Sequence, residues 1–166
     1  MNSLFAAMQQ DTAVRKLQEC FGGAPAETLV YGLSGPAKHV AFASCFCKYP
    51  QPVVILVHSR DAAREWKEDL EVLLPDRTVM ELPELDPGGV QAEARSMEST
   101  ARRMNVLGHL MRREPVIVLA SSAAAVQKGM SRQEFERLSL AVRIGQQLPR
   151  EQLIHQLVHL GYEHAD

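Results

Sequence analysis

Residues 32–39 read GLSGPAKH and lie between an apolar run, TLVY (28–31), and a helix-like stretch, VAFASCFCKY (40–49). Strand, glycine-bearing loop and helix in that order form the setting of a phosphate-binding loop, written G-x-x-x-x-G-K-[ST]. Gly32 and Lys38 match that pattern, and Pro36 stands near the first helical position, where its fixed φ favours the turn. The fold therefore hangs on whether the flanking segments continue as alternating strands and helices.

They do. PVVILV (52–57) and PVIVLA (115–120) are continuous apolar runs rich in β-branched residues, the pattern of parallel strands covered on both faces. TVMEL (78–82) is a third candidate, and Thr28–Tyr31 a fourth. Between them SRDAAREWKEDLEVLL places Ala62, Trp66, Leu70 and Leu73 on one helical face, with Arg64/Glu68 and Lys67/Glu71 as i,i+4 pairs on the other. A long helix is expected from Val90 to Arg113, with Ala94, Met97, Ala101, Met104, Leu107, Leu110 and Met111 as its buried stripe. Ser121 and Ser122 suit the cap of a short helix, AAAVQK. Residues 3–20 are loosely helical and stop at Gly22-Gly23. The order β-α-β-α-β-α-β predicts an α/β fold with a parallel sheet flanked by helices, of the phosphate-loop NTPase or helicase kind.

After SRQEFERLS the character changes. SLAVRIG (139–145) alternates like a half-exposed strand, and PREQLIHQLVHLG is a helix opened by Pro149 and closed by Gly161. Residues 1–137 are thus read as one α/β subdomain and 138–166 as the first strand and helix of an incomplete α+β unit, whose unpaired strand edge invites self-association.

Composition narrows the function. With 46% hydrophobic and 23% charged residues among 166, the chain is globular in character. A net charge of −2 with scattered Lys and Arg, and only 5% aromatic residues, argues against nucleic-acid binding through phosphates or stacking. Cys20, Cys45 and Cys47 lack chelating spacing, and Cys45 and Cys47 would point to nearly opposite sides of a helix. No apolar run approaches the ~18 residues of a membrane span, and the N-terminus has no signal-peptide pattern. A reduced, cytoplasmic location is expected.

As chemistry the loop is depleted. Ala37 replaces the second glycine and adds a Cβ at the crowded point, Pro36 deletes an N–H, and His39 replaces the magnesium-binding hydroxyl. Imidazole suits softer metals than magnesium. The strands end in His58-Ser59 and Ser121-Ser122, with no Asp-Asp or Asp-Glu to hold the ion. Gly32, Gly35 and Lys38 are accordingly expected to form a remnant loop with at most weak anion binding at the helix N-terminus, with no catalytic residue, cofactor or metal. Ser34 fails as a nucleophile elbow because Pro36 replaces the closing glycine. His155 and His159, with Glu151 a turn earlier, have metal-ligand spacing but sit on the polar face opposite Leu153, Ile154, Leu157 and Leu160. His58 and His109 form no constellation.

Three stretches, LVYGLSGPAKHV, ELPELD and VRIGQQLPREQLIHQLVHLGYEHAD, together with VVILV and VIVLASSAAAVQK, resemble the N-terminal region of bacterial transcription-repair coupling factors. That region is similar to the excinuclease subunit UvrB, which keeps an intact loop and is the poorer match. The resemblance implies a UvrB-like module without a working ATP site, followed by the start of an insert that recruits UvrA and links stalled RNA polymerase to nucleotide excision repair. It also implies that the UvrA-contacting stretch lies beyond Asp166, and that polymerase, DNA and ATP-driven translocation belong to domains outside this chain. A truncated scaffold is therefore expected. The alternatives are an ATP-dependent UvrB or helicase-like enzyme with a functional nucleotide site, and a stand-alone anion-binding module.

Overall fold

In a computed structural model of the chain, three parallel strands form one sheet in the order β1-β3-β2. The structure describes residues 5, 7, 8, 10–85, 92–137, 139, 140, 142 and 144–159, with side chains of the long helix described from residue 98. The strands are β1 (Val53–Val57), β2 (Thr78–Leu82) and β3 (Val116–Ser121). The helices are α1 (Thr12–Gly22), α2 (Ala37–Lys48), α3 (Arg60–Leu73), α4 (Ala92–Met111), α5 (Ser122–Val126), α6 (Arg132–Arg137) and α7 (Arg150–His159). The α/β class with a parallel, helix-flanked sheet is what the alternating runs predicted.

β3 is central and buried along its whole length, which is why PVIVLA carries no polar residue. Its two faces feed two cores. Ile117 and Leu119 pack with Val53, Ile55, Val57 and Val79 against Ala43 and Phe46 of α2 and Ala63 and Leu70 of α3. Val116 and Val118, with Met80 and Leu82, pack against Val106 and Leu110 of α4. Leu119 is fully buried, so truncating it to Ala would remove about 3 kcal/mol of stability through lost transfer energy and the cavity left behind.

Four expectations are corrected. β1 is not covered on both faces: its register places Val54 beside Val118 and Leu56 beside Ala120, yet Val54 and Leu56 stay 49% and 67% exposed. The α4 core takes in β2 and β3 only, so the half-face of β1 is left open. Thr28–Tyr31 is not a strand; Leu29 and Tyr31 are 85% and 88% exposed. β3 already has a neighbour on each edge, and a four-residue segment without a buried face gains too little from ladder bonds to join an outer edge.

The described residues of 139–145 likewise form no strand, and Gly145 takes a left-handed φ of 84° in a turn. An alternating pattern needs a partner strand, and none exists among the described residues of that region. The buried stripe of α4 is also shifted: Ala101 is exposed, while Arg103 and Val106 face inward. Ala94 and Met97 lie outside the described side chains.

The chain divides into two compact units, residues 1–127 and 128–166. The first holds the sheet and α1–α5. In the second, α6 begins at a capping box in which the Ser131 hydroxyl accepts the Glu134 N–H while Glu134 accepts the Ser131 N–H. α7 carries Ile154 and Val158 exposed, as a helix does when nothing among its described neighbours covers it. No helix among the described residues is long and apolar enough to cross a membrane.

Candidate functional site

The loop occupies the turn into α2, and its two glycines owe their identity to backbone conformation. Gly32 has φ 85° and Gly35 φ 51°, with no atom within 4 Å of where a Cβ would stand at either. Space is free, but L side chains rarely adopt that conformation. Pro36 then begins the helix: its carbonyl accepts the N–H groups of His39 (3.0 Å) and Val40 (3.1 Å). The Ala37 N–H donates back to the Ser34 carbonyl at 3.2 Å. A phosphate cradle would aim those amides outward. Here Pro36 has none, and the amides of Ala37 and His39 are already engaged.

The side chains follow the same course. Lys38, half-buried, carries its Nζ to 5.7 Å from the Trp66 ring centroid instead of over the loop. His39 is completely buried, and its Nδ1 meets the Asp69 carboxylate on α3. Its ring lies 4.1 Å from that of Trp66, tilted by 57°. Nε2 is buried without a partner among the described residues, so no hydrogen bond directs that nitrogen toward the loop. Ser34 is exposed, and no histidine or carboxylate among the described residues bonds its hydroxyl.

A second polar region lies beyond the C-terminal ends of β2 and β3, where open parallel sheets place their ligands. Ser121 caps α5 by accepting the Ala124 N–H at 3.0 Å and donates its hydroxyl to Glu84 Oε1 at 2.6 Å. Arg103, 9% exposed, donates Nη1 to the Pro83 carbonyl at 2.7 Å and the Ala124 carbonyl at 3.3 Å. Burial pulls its pKa below the ordinary arginine value. Gln127 reads both backbone groups of Leu85, accepting its N–H at 2.7 Å and donating to its carbonyl at 2.9 Å. ELPEL is thus tied to α4 and α5 by side chains forty residues downstream in sequence and nearer. Sequence reasoning missed Glu84, Arg103 and Gln127. The one available signal is that Arg103 lies three residues before Val106 and seven before Leu110, on the face that α4 turns to the sheet.

The remaining candidates are dispersed. Ser59 caps α3 through the Ala62 N–H at 3.2 Å, and the Ser122 hydroxyl donates to the His58 carbonyl at 3.3 Å. His109 pairs with Glu114 at the opposite end of the sheet, where Glu114 also accepts from Arg112. Arg112, then His109, hold the Glu114 carboxyl below its ordinary range. Glu151 and His155 lie exposed on α7, and the His159 side chain is outside the described residues. Among the described residues no three His, Cys, Asp or Glu side chains are grouped to hold a metal. Cys45 is buried and its thiol pKa pushed up by desolvation, opposite to what a reactive thiolate needs.

No family model matches the chain. It is 29% identical over 140 residues to the transcription-repair-coupling factor of Bacillus subtilis, a match covering 84% of this chain and 12% of that protein. It is 25% identical over 171 residues to UvrABC system protein B of Gloeobacter violaceus, covering 95% of this chain and 25% of the relative. The corresponding protein of Halobacterium salinarum is 28% identical over 157 residues, covering 87% of this chain and 22% of the relative. The matched stretch is thus a quarter or less of the length of these relatives. The helix-flanked parallel sheet, the glycine loop before α2 and these matches agree, and the chain is similar to the UvrB-like module that transcription-repair-coupling factor shares with UvrABC system protein B.

Proposed function

We propose that the chain is a non-catalytic scaffold from the UvrB-like module of a transcription-repair coupling factor, part of the apparatus that recruits UvrA in transcription-coupled nucleotide excision repair. The observation that carries the reading is the fate of Lys38 and His39. The two side chains that a working loop sends to phosphate and metal lean on Trp66 and Asp69 instead. Pro36 and Ala37 supply neither the missing amide nor the missing glycine, and no cofactor or metal is assigned. Similarity to repair proteins supports the pathway, and the UvrA partnership rests on the resemblance carried by residues 142–166. On this reading residues 1–137 are the UvrB-like subdomain, 138–166 begin the recruiting insert, and the protein works in the cytoplasm.

Isothermal calorimetry with MgATP tests the scaffold directly: no binding at micromolar to millimolar nucleotide is expected, and stoichiometric micromolar binding would sink it. For the partner, immobilised UvrA should capture a chain extended past Asp166 and retain this one weakly or not at all; equal retention of both would move the contact elsewhere. The competing reading, an ATP-dependent UvrB-like enzyme, is favoured by the match to UvrABC system protein B over 95% of the chain. Lys38→Ala separates the two in nucleotide calorimetry: it abolishes binding in the enzyme, whereas the scaffold shows none before or after the substitution. An isolated anion site at the α2 N-terminus would show as sulfate or phosphate binding that the same substitution removes.

A further inference from the structure

We propose that Trp66 interlocks α2 with α3 by capturing the side chains at the loop's ligand positions, so that residue 39 serves helix packing and cannot be returned to metal binding. The inference deepens the scaffold reading and rests on it. Lys38, His39 and Phe42 are spaced one and three residues apart on α2, and all three reach the same ring. Nζ of Lys38 is 5.7 Å from its centroid, the imidazole 4.1 Å, and the Phe42 ring 6.1 Å at 73°, an edge-on contact. Asp69 follows Trp66 by three residues, the spacing that puts both on one face of α3, and it grips His39 Nδ1.

A metal-binding hydroxyl must face its ion and the solvent from which the ion comes. His39 has no exposed surface at all. Threonine there would restore the motif's hydroxyl and lose the imidazole ring tilted against Trp66, leaving a void beside Trp66 and the Asp69 carboxylate without its partner. Loss of ligand chemistry and gain of a helix joint are therefore the same substitution seen from two sides. Because Trp66 is the chain's single tryptophan, its emission reports this contact without background from another indole.

The test compares the whole chain with His39→Thr, Asp69→Asn and their combination, reading tryptophan emission, urea midpoint and MgATP calorimetry. His39→Thr should red-shift the emission, lower the midpoint and bind no MgATP. Asp69→Asn should move emission and midpoint in the same direction by less, and the double variant should be no worse than His39→Thr, since both act on one contact. Parent-like emission and midpoint in His39→Thr, fully additive losses, or MgATP binding gained by His39→Thr would each overturn the interlock. Should His39→Thr fail to fold, Asp69→Asn and Lys38→Met decide: both must alter Trp66 emission, and unchanged spectra overturn the proposal. MgATP binding by the unaltered chain would defeat the scaffold reading alone, leaving the emission and coupling results to judge the interlock.

Discussion

The loop before α2 and the rim beyond β2 and β3 are the two places where a sheet of this kind offers polar groups to a ligand, and the protein uses them up differently. At the loop the backbone is open to solvent and the side chains have turned inward, Lys38 to Trp66 and His39 to Asp69. At the rim the side chains converge, but each meets another part of the chain: Glu84 takes Ser121, Gln127 takes Leu85, and Arg103 takes two carbonyls. The lesson is that polar side chains at both places find partners inside the fold, at the loop on a neighbouring helix and at the rim largely on backbone.

Breaking the rim should have the larger effect. Arg103→Ala leaves the Pro83 and Ala124 carbonyls facing a buried void, and a loss of about 3 kcal/mol is expected from groups left unpaired. Urea denaturation measures it; a change below a few tenths of a kcal/mol would mean that water replaces the guanidinium and that the rim is wetter than its burial implies. The loop should respond more mildly and for a different reason. Gly32→Ala meets no atom within 4 Å but must hold φ near 85°, so about 1 kcal/mol of backbone strain is expected. Gly129→Ala, also in open space and without a positive φ, is the control and should be neutral. Equal midpoints for the two variants would show that the loop relaxes out of its left-handed turn.

The smallest effect is a pH dependence at neither place, which serves to calibrate both. Arg112 and His109 hold the folded-state pKa of Glu114 below its ordinary value of 4.5. A depressed carboxyl contributes stability above the unfolded pKa and loses it as pH falls through the folded one. Stability should therefore decline slightly below pH 4.5, and Glu114→Gln should remove that part of the decline. Because Glu114 lies at the surface, solvent screening keeps the difference small. Identical acid limbs in the parent and in Glu114→Gln would refute the pairing.

Much of this was legible in the residues. PVIVLA announced a strand buried on both faces, and β3 is one; α5 appeared with its cap at Ser121, and α3 with its Lys67–Glu71 pair at 3.6 Å. The departures of Pro36, Ala37 and His39 from G-x-x-x-x-G-K-[ST] are visible in the residues themselves. Less legible were features that depend on a neighbour. TLVY has the composition of a strand and no edge to join, and PVVILV has the composition of a doubly covered strand with one half-face bare. Arg103 and Gln127 carry no motif, because what they bind is backbone, and backbone has no spelling.

The sequence by itself determined the class: runs of β-branched residues and helical faces alternate, and local periodicity is a property that each segment carries alone. It determined too that the loop lacks a glycine, an amide and a hydroxyl. Only the tertiary structure decided where the side chains of Lys38 and His39 go, and that Trp66 and Asp69 receive them. The physical reason is that a side chain's role is set by the lowest free energy among the contacts within its reach. Those contacts come from segments some thirty residues away, brought close by packing that no local pattern records.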